Sequence, residues 1–547
     1  MRSFDQNPTL PLPSGGERVT AAWPADAVGE PSGGWERGRK HFGQRASSPL
    51  SQLRLSPRFA RAKSAQPSPL PGRGRGWRLI PIAASALALA ACAVGPNYVA
   101  PITPPTAAGQ FVSANSPALS NDPAASNWWR LYQDPVLDGL IADALKSNTD
   151  IRVAVAHLER ARASLRGARS DRLPSTGLNA GATYGRLPES QRAPGAPRED
   201  WSIDTGLSVS YEVDLFGRVK RGIEAARGDE QAAAADADAV RVAVVADTTR
   251  AYADAASGAA RLKVANQIVD LLDKSLLLTQ RRHDAGLATQ LDVSRIATLR
   301  QQRAADIPAI EADRQAALFR LATLTGRTPQ QLPAEIAERV TTLRLDQPIP
   351  VGDGAALLAR RPDIREAERK LAAATARIGV ATAELYPRIQ LAGSAGLIGG
   401  GLDAILTPLV TWAFPNRSAA RAKIAAARGG QAAALASWDV VVLRALREVE
   451  TALAEYRSED DRNQAVSAAL VASEKAMVRA RARHRLGADS YLVVVDTERT
   501  RNDTAALLAA SDLRLAQIQV ALFRALGGGW QAGAARANVA ERSASVM

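Results

Sequence analysis

Cys92 is the one cysteine in 547 residues. A thiol is a nucleophile and can carry one covalent group. Alone it cannot build an intrachain disulfide framework or a cysteine-rich zinc site. The four histidines, His41, His157, His283 and His484, are too scattered for a cluster, so no metal site is expected. There is no Walker loop, no G-x-S-x-G elbow and no H-E-x-x-H pair. Gly399-Gly400-Gly401 reads as a loop between strands. The expectation is a chain with no catalytic residues, with its one covalent chemistry at Cys92.

The surroundings of Cys92 say what that chemistry is. Arg73, Arg75 and Arg78 precede the apolar run 79–91, and small residues lead into the cysteine. This is the grammar of a signal peptide, expected over 77–91. Leu89-Ala90-Ala91-Cys92 resembles a bacterial lipobox, in which the thiol is lipidated and the chain is cut before it. Ala93, not Asp, follows. The resemblance then implies sorting to the outer membrane, with a covalent lipid on Cys92 as the only attached group. Residues 1–76 are rich in Pro, Gly, Ser and Arg without period and read as a disordered extension or a mis-assigned start. The longest apolar stretch, 79–94, is short and broken by Pro81 and Ser85, so no membrane-spanning helix is expected.

Composition excludes other classes. Alanine is abundant and aromatics make up 5%, which favours long helices. The formal charge of +14 is uneven: thirteen of 69 Lys and Arg but five of 55 Asp and Glu lie before residue 92. A basic tail therefore sets the high pI. No basic patch with aromatics follows it, so no nucleic-acid partner is expected.

The elements that must position any site come in two copies. Arg282, His283, Gly286, Leu291, Val293 and Arg300 recur 201 residues later as Arg483, His484, Gly487, Leu492, Val494 and Arg501. Ile223 and Ala225 to Gly228 recur at the same shift, and Gly326 recurs as Gly527. Upstream the shift is 213: Asp150, Ile151, Leu158 and Pro174 match Asp363, Ile364, Leu371 and Pro387. The expected boundaries are a first repeat over 92–325, an equatorial connector over 326–350, a second repeat over 351–530 and a flexible tail over 531–547. Each repeat predicts a helix of about 35 residues (136–171, 353–385), a β region, a long helix (217–284, 418–485), a glycine turn and a return helix (290–325, 491–526). A helix over 217–284 would extend ~100 Å at 1.5 Å per residue, and must pack in a coiled coil or helical barrel to be stable.

The first β region alternates cleanly. Trp201, Ile203, Leu207, Val209, Tyr211, Val213 and Leu215 alternate with polar or small residues. The run exceeds the ~9–11 residues a tilted strand needs to cross a bilayer. Leu178, Ala180, Ala182 and Tyr184 supply its hairpin partner. In the second copy Ile389, Leu391, Ala395 and Leu397 read as a strand. Its partner reads as Thr407 to Phe414 with Pro408 inside, so that hairpin is expected to be short or damaged. Four strands cannot close around anything and edges cannot stay open in lipid; three chains supplying twelve strands can close.

With these residues in view, the chain resembles the outer-membrane efflux protein family: TolC-like outer membrane factors, and within them NodT-type efflux lipoproteins. Cys92 to Pro101, Trp128 to Pro135, Tyr211 to Arg218, Arg360 to Ile364 and Leu446 to Glu450 carry the resemblance. It implies a mainly α fold with a membrane β-barrel: a long α-helical coiled-coil barrel plus four strands per chain, in a homotrimer with a 12-strand barrel. It further implies a duct that exports drugs or other small molecules without transforming them. The implied partners are a periplasmic membrane-fusion adaptor, an inner-membrane pump of the resistance-nodulation-division type, and outer-membrane lipid. The helical tips for adaptor docking map to Gly286 and Gly487. The resemblance places a periplasmic gate at Leu492 and Asp496, four residues apart and so on one helix face, with Arg485 as a basic tip residue. Asp496 also reads as an ordinary surface carboxylate of a coiled coil, and His283 and His484 as structural. A second reading is a lipid-anchored periplasmic coiled-coil adaptor that does not span the membrane.

Overall fold

The computed structural model describes residues 93–528 except 104, 187, 189–193, 196, 340, 346, 399 and 400. Cys92, the extension 1–76, the signal segment 77–91 and the tail 531–547 lie outside the described residues. In the first repeat helix α1 (Pro135–Ser147) is followed by α2 (Thr149–Ser170), strands β1 (Ser175–Arg186) and β2 (Glu199–Val213), the long helix α3 (Arg218–Asp284) and the return helix α4 (Gln290–Leu324). The second repeat has the same order: α5 (Gly354–Arg360), α6 (Pro362–Ala383), β3 (Arg388–Ile398), β4 (Gly401–Thr411), α7 (Ser418–Arg485) and α8 (Tyr491–Ala525).

Two expectations are corrected. Each opening helix is two helices, broken at equivalent positions. Asn148 leaves helical geometry and caps α2, its Oδ1 accepting from Asp150 N at 2.8 Å and Ile151 N at 3.2 Å. Arg361 breaks the second copy because it precedes Pro362, whose ring excludes helical geometry from its predecessor. Both break residues then reach the end of a return helix. Asn148 Nδ2 donates to Leu324 O at 3.0 Å, and Arg361 Nη1 donates to Ala525 O at 2.8 Å. Orphan C-terminal carbonyls are thereby satisfied.

The second hairpin is shorter than the first, whose strands have 12 and 15 residues, but it is not damaged. β4 starts at Gly401 rather than Thr407 and pairs with β3 along its length, from Arg388 opposite Thr411 to Ile398 opposite Gly401. Both strands have 11 residues. Pro408 lies within β4, an edge strand of the chain's own sheet, whose order is β1-β2-β3-β4. Leu402 to Leu406 read as loop in sequence because small and polar residues interrupt them; pairing against Ala395 and Leu397 makes them strand.

Burial concentrates at the waist of the repeats. Trp128 stacks on Phe523 with ring centroids 4.6 Å apart, in a core with Leu137, Ile141, Tyr252 and Leu522. Asp134 is buried there, capping α1 through Val136 N at 3.0 Å, accepting from Tyr252 Oη at 3.1 Å and pairing with Arg339. Burial and this carboxylate push the Tyr252 hydroxyl up to about 12, so it remains a donor. Helix α8 is long and apolar enough by composition to cross a membrane. Yet 44% of its apolar window is buried, and it packs along α7 and α3 as a coil.

Candidate functional site

The four strands form one wall with two unlike faces. The register aligns Leu178 with Leu207, Leu207 with Ala395, and Ala395 with Ala404. One face therefore gathers Leu178, Tyr184, Trp201, Ile203, Leu207, Val209, Leu391, Leu397, Leu402, Leu406 and Val410. Many are exposed, Leu406 by 78%, with no protein layer over them. The other face presents mainly small and polar residues, among them Asn179, Ser208, Ser210, Ser394 and Thr407, where Ser208 Oγ donates to Gly177 O at 3.0 Å. Ile405 and Leu409 are apolar exceptions on it. An uncovered apolar face of 11 to 15 residues per strand, backed by a polar one, is what lipid on one side and water on the other require.

Just below the wall, the chain's N-terminal segment is clamped. Val94 N donates to Phe216 O at 3.1 Å. Gly217 has φ +76° and a Cβ there would lie 2.7 Å from Ala93 Cβ, so only glycine allows the approach. The buried Arg221 guanidinium donates to Val94 O at 3.2 Å, Gly95 O at 3.3 Å, Asn97 Oδ1 at 2.7 Å and Glu224 Oε2 at 2.7 Å. Ala93, the residue after the cysteine, thus sits at the foot of the strand wall. Sequence reasoning did not single out Arg221; a buried arginine in an Ala-rich helix leaves no periodic signal.

At the other end of the long helices, Gly286 and Gly487 turn the two hairpins with φ of +74° and +73°. The tips are tied differently. Thr289 and Asp292 form a reciprocal capping box at the first, with Asp292 N donating to Thr289 Oγ1 at 3.2 Å. The Thr289 hydroxyl holds the Asp292 carboxyl below the usual range. Ser490 makes no such cap at the second. There Arg483 pairs with Asp489 at 2.7 Å and holds its carboxyl below the usual range. His484 joins the hairpins. Arg282 Nη1 lies 2.6 Å from His484 Nε2 and donates, so Nδ1 carries the hydrogen given to Asp489 O at 2.9 Å. Further up, Ser275 Oγ donates to Glu498 Oε2 at 3.0 Å, while Arg481 pairs with the same carboxylate at 2.7 Å.

Leu492 and Asp496 lie on α8 one turn apart and both are exposed, Leu492 by 51%. Arg485 is exposed as well; its Nε donates only to Arg481 O at 3.4 Å, and it forms no ion pair among the described residues. The structure therefore does not bring Arg485 and Asp496 together within one chain. Among the described residues no group of His, Cys, Asp and Glu is placed to hold a metal.

A two-faced strand wall prolonged by paired helical hairpins is the fold of an outer-membrane conduit. The model of the outer membrane efflux protein family matches residues 140–327 and 355–528. The chain belongs to that family. It is 32% identical over 464 residues to the outer membrane protein OprJ of Pseudomonas aeruginosa, covering 82% of this chain and 95% of that protein. It is 33% identical over 473 residues to the toluene efflux pump outer membrane protein TtgF of Pseudomonas putida, covering 82% and 96%. Among solved structures, the outer-membrane channel OprN superposes with a TM-score of 0.74 at 34% identity, covering 81% of this chain and all of that one. The open-state MtrE channel of Neisseria gonorrhoeae superposes with 0.69 at 27% identity, covering 80% and 98%. The protein is an outer-membrane efflux channel extending into the periplasm. The reading as a non-spanning periplasmic adaptor is set aside.

Proposed function

We propose that three copies close one 12-strand barrel and one helical duct, through which small molecules leave the cell unchanged and without catalysis by this chain. The supporting observation is the wall itself: β1 and β4 are open edges of a sheet whose exposed apolar face suits lipid. Unpaired backbone edges are untenable in hydrocarbon, so neighbouring copies must pair them. A periplasmic membrane-fusion adaptor docks at the tips turned by Gly286 and Gly487, and carries cargo from an inner-membrane pump of the resistance-nodulation-division type. Cys92 carries a covalent lipid. Ala93 at the foot of the wall favours this, because an acyl chain on the preceding residue has lipid within reach.

At the periplasmic end, Leu492 and Asp496 of the three copies form an apolar and an acidic ring, with Arg485 pairing across copies in the closed state. Three Asp496 carboxylates near one axis repel one another and favour cations. The test is Asp496→Ala in the intact oligomer, which should raise single-channel conductance and vancomycin entry. Unchanged permeability of correctly assembled protein would refute the gate. For the duct as a whole, a strain lacking this protein should retain more dye, and a plasmid copy should reverse it.

A further inference from the structure

Strand β4 ends at Thr411, and Trp412 continues the lipid-facing set Leu402, Leu406, Pro408 and Val410. Its indole stacks on Phe414 with centroids 4.8 Å apart, and its Nε1 donates to Leu385 O at 3.0 Å. Both rings are exposed. Arg417 lies over the pair, its Cζ 5.2 Å from the Trp412 centroid and 5.6 Å from that of Phe414. Its Nε is enclosed without a hydrogen-bond partner, and it forms no ion pair among the described residues.

Three neighbouring cations are matched. Arg218 grips Glu212 at 2.7 and 2.6 Å, and Lys423 pairs with Glu384 at 2.7 Å. Arg221 is held by Glu224 and the N-terminal segment. Arg417 is different: it has aromatic faces below it and, among the described residues, no ion-pair partner. Arg421, one turn further along α7 on the same side, is exposed and also without an ion pair among the described residues. A partly enclosed guanidinium with an unmet donor calls for an anion. Tryptophan at the end of a lipid-facing wall marks the headgroup layer, and the anion at that depth is phosphate.

We propose that Arg417, carried on the Trp412–Phe414 shelf, binds the phosphate of a phospholipid in the periplasm-facing leaflet, with Arg421 as a second cation. The site rests on the reading of the wall as membrane-spanning. The competing occupant is a carboxylate of a neighbouring copy, since β4 is an edge strand. Asp171 is an exposed acid just before β1, the opposite edge.

The test is native mass spectrometry of the purified oligomer, titrated with phosphatidylglycerol or with diacylglycerol, which has the acyl chains and lacks the phosphate. Wild type should retain one phosphatidylglycerol per chain at activation energies that strip diacylglycerol. Arg417→Gln should weaken retention at least fivefold, Arg417→Lys should restore part of it, and Asp171→Asn should leave it unchanged. Equal retention of the two lipids by wild type overturns the proposal even if Arg417→Gln fails to assemble. Equal phosphatidylglycerol retention by wild type and Arg417→Gln also overturns it. Loss of the oligomer in both Arg417→Gln and Asp171→Asn would assign the site to the neighbouring copy. Planar-bilayer conductance of wild type is the control: if it is absent the spanning wall has failed, and if it is normal without lipid retention only this site has.

Discussion

Arg221 is the residue on which the N-terminal segment depends. Its guanidinium is 5% exposed and satisfies Val94 O, Gly95 O and Asn97 Oδ1 at once. Replacing it by Ala removes the charged donor that holds half-buried Val94 and exposed Gly95 and Asn97, and should cost about 1.5–3 kcal/mol. Limited proteolysis should then cut between Ala93 and Pro101 in a chain whose helices stay protected; resistance equal to wild type would contradict the clamp. At the second tip, Arg483 depresses the Asp489 carboxyl. A carboxylate with a lowered folded-state pKa contributes its stabilisation above the ordinary carboxylate range and loses it as pH falls through its own lower value. The Arg483–Asp489 contact should therefore persist down through the ordinary carboxylate range, about pH 4, and be lost below it. Hydrogen exchange at Leu486 to Asp489 should be the same, after correction for intrinsic rate, at that pH and at neutrality.

At the scale of elements, the two hairpins share a backbone and differ inside. Across the 201-residue shift, buried Gly258, Leu262 and Ile310 of the first correspond to buried Glu459, Asn463 and Ser511 of the second. The second hairpin fills that layer with hydrogen bonds: Ser511 Oγ donates to Glu459 Oε1 at 2.6 Å, and Asn463 Nδ2 donates to Asp512 Oδ1 at 2.8 Å. Polar layers of this kind fix register and contribute less stability than apolar ones. The second tip also lacks the capping box of the first. Amides in 459–511 should therefore exchange faster than those in 258–310, by about tenfold for each 1.4 kcal/mol of local stability. Equal protection of the two hairpins would overturn that expectation. The tip glycines make the same point in backbone terms. Gly487→Val forces a β-branched residue to φ near +73° and should cost about 1–2 kcal/mol, read as a lower melting temperature.

At the scale of the whole molecule, the wall has meaning only in a membrane and beside other copies. Leu406 lies mid-strand on the apolar face. Leu406→Arg should cost about 2–4 kcal/mol at the bilayer midplane and should abolish the heat-resistant oligomer on gels. Ser208→Ala, on the opposite face, should leave it intact. A charged residue tolerated equally on both faces would mean that the assignment of lipid and water sides is wrong.

Periodicity made much of this legible. Alternation at 201–213 and the 201-residue repeat are one-dimensional signals, because side-chain direction follows from residue spacing in strands and helices alone. They specified the order of elements, the tip glycines and the lipid-facing set on β2, while the class of protein came from the resemblance carried by motifs such as Cys92 to Pro101 and Tyr211 to Arg218. What sequence could not decide were features set by contacts far apart in the chain. Asn148 and Arg361 each reach a return-helix carbonyl more than 160 positions away, although the break at Arg361 itself is local, set by Pro362. The full second hairpin follows from β3 pairing an edge strand that local residues disfavour. Arg221 acquires its role from Val94 and Asn97, and Arg417 from the rings it covers. Local pattern encodes which face an element buries; only tertiary structure brings together groups whose partners are distant, because their energies depend on spatial proximity and not on spacing along the chain.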